Sequence, residues 1–219
     1  MQVITEIIFL LKKEMLLEWR QKYAIGGILL YVVSAVFIVY ISTGDIRVPV
    51  WNILFWIIVL FASVNAVAKS FMQENSQRQL YYYQLAHPIA IILSKIVYNI
   101  GLLFLLTILS YLAMTLVYES PIKRVGLFWS TIFLGSLGFS ITFTFISAIA
   151  SKADNSATLM VILAFPIVIP ILGTLMTLSA NALGLIQDTA YIKDIYTLIA
   201  IDGILLGLAI ILFPFLWRD

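Results

Sequence analysis

Residues 69–88 read KSFMQENSQRQLYYYQLAHP. This is the longest clearly polar interval in a chain that is otherwise almost wholly apolar, and long apolar segments flank it on both sides. It is too long for a bare turn. It is also too polar to sit in lipid, where every unsatisfied polar group is costly. The flanking segments must therefore carry the chain across a bilayer, with residues 69–88 as the aqueous loop between two spans.

Composition supports this. Of 219 residues, 63% are hydrophobic and 11% charged, against roughly half and a quarter in a soluble domain. Mean hydropathy is +1.07. A span takes about 20 mostly apolar residues, so the chain holds about six and leaves no room for a soluble domain of ordinary size. The expected fold is an all-α integral membrane protein with a single permease-like domain over residues 1–219. The apolar runs place spans at 24–42, 50–68, 92–117, 125–150, 157–178 and 195–216. Residues 179–194 form a moderately polar outer segment that could hold one or two short helices.

Residues 1–22 do not read as a signal peptide: Glu6 interrupts early, and Lys12, Lys13, Arg20 and Lys22 come late. Ile4, Ile8, Leu11, Met15 and Trp19 recur at helical spacing. This predicts an amphipathic helix lying in the membrane interface. Orientation follows from Lys and Arg. With the N-terminus inside, nine fall on the inner side (Lys12, Lys13, Arg20, Lys22, Lys69, Arg78, Lys95, Lys152, Arg218) and four on the outer (Arg47, Lys123, Arg124, Lys193). Both termini are then cytoplasmic, the even span count putting them on one side, and the loop 69–88 is cytoplasmic. Trp51 and Trp129 would join an outer aromatic belt, and Trp19 and Trp217 an inner one.

Few residues offer chemistry. Pro166 and Pro170 stand four apart inside span five. Each removes a backbone donor and crowds the carbonyl four residues back, which predicts a kinked or unwound helix. With Gly173 a turn on, these form a candidate hinge or pathway lining. Gly135, Ser136, Gly138 and Ser140 let helices approach closely in span four. Asp202 is the one acid well inside a span, a possible intramembrane polar site with Lys193 or a hydroxyl as its partner. Asn65 and Asn99 are expected to bond between helices. Lys95 can snorkel at the inner end of span three. His87 is the sole histidine and there is no cysteine, so no metal site is expected. No Walker A loop, HExxH pair or GxSxG elbow is present. No catalytic residue is assigned, and no nucleic-acid-binding patch is visible.

Several stretches carry a resemblance. Phe61-Ala-Ser through Lys69 and Phe71 leads into the loop. Pro88 and Leu93-Ser-Lys95 approach span three. Phe165-Pro-Ile-Val-Ile-Pro170 lies in span five, and Glu18-Trp-Arg-Gln-Lys-Tyr23 precedes span one. In this order and spacing the chain resembles the haem exporter protein B (CcmB) family, membrane subunits of the cytochrome c maturation machinery related to ABC-2 type permeases. The resemblance implies a bacterial inner-membrane protein that hydrolyses no ATP itself. It implies an ATPase subunit (CcmA-like), a haem-handling membrane subunit (CcmC-like), a haem chaperone (CcmE-like) and a second copy of this chain as partners. ATP enters through the ATPase subunit, and haem is the possible cargo. Residues 69–88 would contain the coupling helix docking on the ATPase, through Glu74, Gln77, Arg78, Tyr81, Tyr82 and Tyr83. Family loops are commonly more acidic and contain glycine; Glu74 is the only acid here. Two other readings keep the architecture: a permease for a lipid, polysaccharide or drug, and a non-transporting assembly subunit.

Overall fold

The computed structural model describes residues 2–20, 22–68, 71, 87–153, 156–186 and 190–218. Among the described residues there are seven long helices and no strand: α1 (Gln2–Arg20), α2 (Lys22–Thr43), α3 (Val48–Val67), α4 (Pro88–Val117), α5 (Val125–Ala150), α6 (Ser156–Ala182) and α7 (Tyr191–Arg218). Six of them, α2 to α7, are long and apolar enough to cross a membrane. The chain has the all-helical, six-span architecture.

Local chemistry sets the boundaries. Pro49 and Pro88 occupy the first turns of α3 and α4, where a fixed φ suits the helix and the missing N–H loses nothing. Gly44 (φ +61) follows α2, its N–H bonding to Tyr40 O at 2.9 Å. α6 ends in a Schellman motif around Gly184 (φ +73): Leu185 N–H donates to Ala180 O at 2.9 Å and Gly184 N–H to Asn181 O at 3.1 Å. The Lys123 side chain covers this glycine, and a Cβ there would come within 2.6 Å of Lys123 Cδ. Lys123 and Arg124 N–H groups both reach Ala182 O, at 3.1 and 2.9 Å, joining the start of α5 to the end of α6.

The interval 179–194 is largely taken up by the ends of the two helices that flank it. Its described residues form no separate short helix: α6 runs on to Ala182, and α7 begins at Tyr191 rather than 195. The reason lies in the partners of its polar side chains. Ser179 donates to Asn52 Oδ1 at 2.7 Å, and Asn181 Oδ1 accepts from Arg124 Nη1 at 2.9 Å. Satisfied inside the bundle, these groups do not end the helix.

α5 is the central helix. Of its apolar window 78% is buried, against 11% for α2 at the periphery. α3, α4, α6 and α7 all pack on it. Its small residues make this possible: a Cβ on Gly135 would stand 3.0 Å from the Trp56 ring, and one on Gly138 would stand 2.6 Å from Asp202 Oδ1. The small residues of span four thus pack helices within one chain. Its hydroxyls make further links. Ser140 donates to Ile96 O (2.9 Å), Thr144 accepts from Asn99 Nδ2 (2.8 Å), and Ser147 donates to Ala68 O (3.2 Å). Asn99 therefore bonds between helices as expected. Asn65 does not among the described residues, because it sits on the exposed side of α3.

Two of the tryptophans assigned to the belts turn their rings into the bundle. Trp51 is buried, stacked on Phe55 at 5.3 Å and packed near Phe128 and Tyr111. Trp217 is buried too, stacked on Phe213 at 5.3 Å.

Candidate functional site

The structure gathers two groups of functional interest: a junction where the chain enters the polar loop, and a carboxyl buried in mid-bundle.

The junction begins at Phe71, a described residue within the loop 69–88. Its side chain is buried. Three helices grip it. Its N–H donates to Ser147 Oγ of α5 at 3.4 Å. Its ring packs on Phe213 of α7, centroids 5.6 Å apart. Lys95 Nζ of α4 lies 4.7 Å above the same ring, a favourable placement for a cation desolvated by burial.

Lys95 does not snorkel outward; it is 3% exposed and reaches Glu14 Oε1 of α1 at 3.4 Å. Lys13 Nζ approaches the same oxygen at 3.0 Å. Burial pushes the Glu14 carboxyl up, but the two lysines outweigh it and hold it below the usual carboxylate value. A second tie lies two turns away, where the His87 N–H donates to Glu6 Oε2 at 3.0 Å. Glu6 and Glu14 thus meet residues 87 and 95 in matching order, so α1 runs alongside the first turns of α4 in the same direction. On its other side α1 exposes Ile4, Ile8, Phe9, Met15 and Leu16. Sequence reading identified the apolar stripe and Lys95 but missed Glu14. Its position off the stripe was the available signal, and the partner on α4 was invisible at a separation of 81 residues.

The residues expected to touch the ATPase, Glu74, Gln77, Arg78, Tyr81, Tyr82 and Tyr83, lie outside the described residues. So do the side chains of Trp19, Glu18 and Lys22.

Pro166 and Pro170 lie in α6, which remains helical across both and is not unwound. Each proline leaves the carbonyl four residues earlier, Ile162 and Pro166, without its helical donor. Ile162, Pro166 and Pro170 share one exposed stripe, and Gly173 is exposed as well. Beside this stripe an apolar groove opens between α3, α5 and α6, bordered by Phe61, Phe143, Ala164, Phe165 and Ile169. Past the prolines α6 is fixed to α3: Trp56 Nε1 donates to Ser179 Oγ at 2.7 Å, and Asn52 Nδ2 donates to Met176 O at 3.0 Å. This Asn52–Trp56–Ser179 lock was not foreseen from sequence.

Asp202 lies deep in the bundle, 3% exposed. From Tyr191 it is eleven residues into α7, about 16 Å along the axis. That is near the middle of a hydrocarbon layer of about 30 Å. Its carboxyl abuts Gly138 of α5, a glycine that the Ile171 side chain of α6 also borders. Neither oxygen has a hydrogen-bond partner among the described residues. Neither suggested partner is found among the described residues: no hydroxyl bonds to the carboxyl, and Lys193 sits exposed in the first turn of α7, more than two turns away. The described residues contain no His, Cys, Asp and Glu grouping able to hold a metal ion.

A comparison with curated proteins finds no match. The family model described as CcmB protein matches residues 5–216. That span takes in all six membrane helices, the loop 69–88, the proline pair and Asp202. The chain belongs to the CcmB family, and is a multi-pass membrane subunit of the haem-exporter ABC complex of cytochrome c maturation.

Proposed function

We propose that this subunit converts ATP hydrolysis by a CcmA-like partner into movement of its helix bundle, and that residues 69–88 are the segment through which it does so. The observation that carries this reading is the burial of Phe71 among α4, α5 and α7 at the start of that segment. A force applied to the loop acts on three helices through one ring, and on α1 through Lys95 and Glu14. Packed side chains of this kind do not deform continuously, so small displacements at their edge are passed on. Glu74, Gln77, Arg78 and the tyrosines at 81–83 form the docking surface, with Tyr supplying the contact area that interfaces favour.

In this reading both termini and the loop are cytoplasmic, in a bacterial inner membrane. α1 lies at the inner surface, where lipid covers Ile4, Ile8 and Met15. α6 bends where Pro166 and Pro170 have removed two rungs of its ladder, with Gly173 beside them. The chain works as a homodimer beside CcmC-like and CcmE-like partners. The outcome is haem delivery or release of the haem-loaded chaperone.

The test is a pull-down from membranes with Gln73–Gln84 replaced by a Gly/Ser linker of equal length and Phe71 retained. Loss of the ATPase subunit with normal insertion of this chain is expected. Undiminished capture of the ATPase would overturn the coupling role.

A further inference from the structure

We infer that Asp202 is a membrane-embedded proton-binding site, carrying its proton while α7 is seated on Gly138 of α5 and releasing it when that contact opens. An ionised carboxylate in mid-membrane needs a cation, hydrogen-bond donors or water. Asp202 has no hydrogen-bond partner among the described residues. Gly138 of α5 lies against it, and the Ile171 side chain of α6 borders the same glycine. Neither α5 nor α6 contains a titratable side chain. On α4, Lys95 is engaged with Glu14, Tyr111 belongs to the outer aromatic cluster, and Tyr98 completes the titratable groups. On α7 itself, Tyr191, Lys193, Asp194 and Tyr196 stand near one end and Arg218 at the other. With the contact closed, the carboxyl is therefore a neutral acid.

Gly138 makes the seat. No residue with a Cβ fits there while the carboxyl remains in place. Thr142, one turn on and on the same face of α5, has a buried hydroxyl that likewise lacks a partner among the described residues. If α5 and α7 part, two polar groups are ready to receive water. The carboxyl O–H bond then breaks, the electron pair stays on oxygen, and the proton passes to that water. Reclosure reverses the step. The drive for parting rests on the coupling reading above, since Phe71 touches Ser147 and Phe213 on the same two helices.

The experiment is infrared difference spectroscopy of the intact complex in lipid vesicles, with and without ATP, alongside the pull-down. At neutral pH the wild type should show a protonated-carboxyl C=O band that shifts in D₂O and diminishes during ATP turnover. Asp202→Asn should lack the band, while Asp45→Asn, changing an exposed acid, should keep it. Asp202→Asn preserves shape but cannot ionise, so it should bind the ATPase subunit and lose holo-cytochrome c. Absence of the band in the wild type overturns the inference, and that observation depends on no variant. So does a band unchanged in Asp202→Asn, or an Asn variant that matures cytochrome c normally. An ATP-responsive band together with undiminished ATPase capture by the loop-replaced chain would sink the coupling reading and leave the proton site standing.

Discussion

Lys95 Nζ stands 3.4 Å from Glu14 Oε1 while also covering the ring of Phe71. One buried cation thereby joins α1, α4 and the first stretch of the polar loop. Removing Glu14 would leave that cation buried with a lost partner, so Glu14→Gln should destabilise the docking of α1 by about 3 kcal/mol. Limited proteolysis in detergent should then release α1 earlier than in the wild type.

The same pair sets an acid limit. Glu14 has a folded-state pKa below its ordinary 4.5, so its stabilisation is fully present above pH 4.5 and is lost as pH falls through the lower folded value. Thermal unfolding of the wild type should show this loss below pH 4.5. Glu14→Gln should show no corresponding step.

Gly138→Ala should cost about 1–3 kcal/mol through overpacking against the Asp202 carboxyl. Truncating the opposing group in Gly138→Ala/Asp202→Ala should recover most of the loss. A double-mutant cycle of melting temperatures in detergent measures the coupling; additive effects would rule out the contact as its cause.

Ser179→Ala strands Asn52 Oδ1 and Trp56 Nε1 at once. Leaving buried groups unsatisfied costs about 1–3 kcal/mol. The lowered stability should come with altered tryptophan fluorescence, since Trp56 loses its hydrogen-bond acceptor.

Pro166→Ala/Pro170→Ala restores two backbone donors to α6 and should make it stiffer. The variant should insert and assemble normally. If α6 bends during the cycle, a haem stain of membranes from a complemented deletion strain should show holo-cytochrome c reduced. Full rescue would reduce the proline pair to a static feature of packing.

Membrane residence, helix count and the polar loop were legible in the sequence because they depend on one-dimensional quantities. Twenty apolar residues must form a helix in lipid, and a run such as Gln73–Gln77 cannot stay there. The prolines at 166 and 170 could be located, though their effect could not. α6 stays helical because loss of two donors does not outweigh the remaining ladder and its packing on α5 and α3. Which faces meet was decided by tertiary structure alone. Glu14 and Lys95, Asn52 and Ser179, and Gly138 and Asp202 are each more than sixty positions apart. The last two pairs meet where small residues on α5 let four helices close around it, and the first where α1 lies along α4. Trp51 and Trp217 show the same limit: their amphipathic rings suit an interface, but only the packed bundle offered them stacked aromatic partners. Sequence thus determined which solvent each segment occupies, by transfer free energy. The three-dimensional fold determined which buried polar groups find partners, and left Asp202 without one among the described residues.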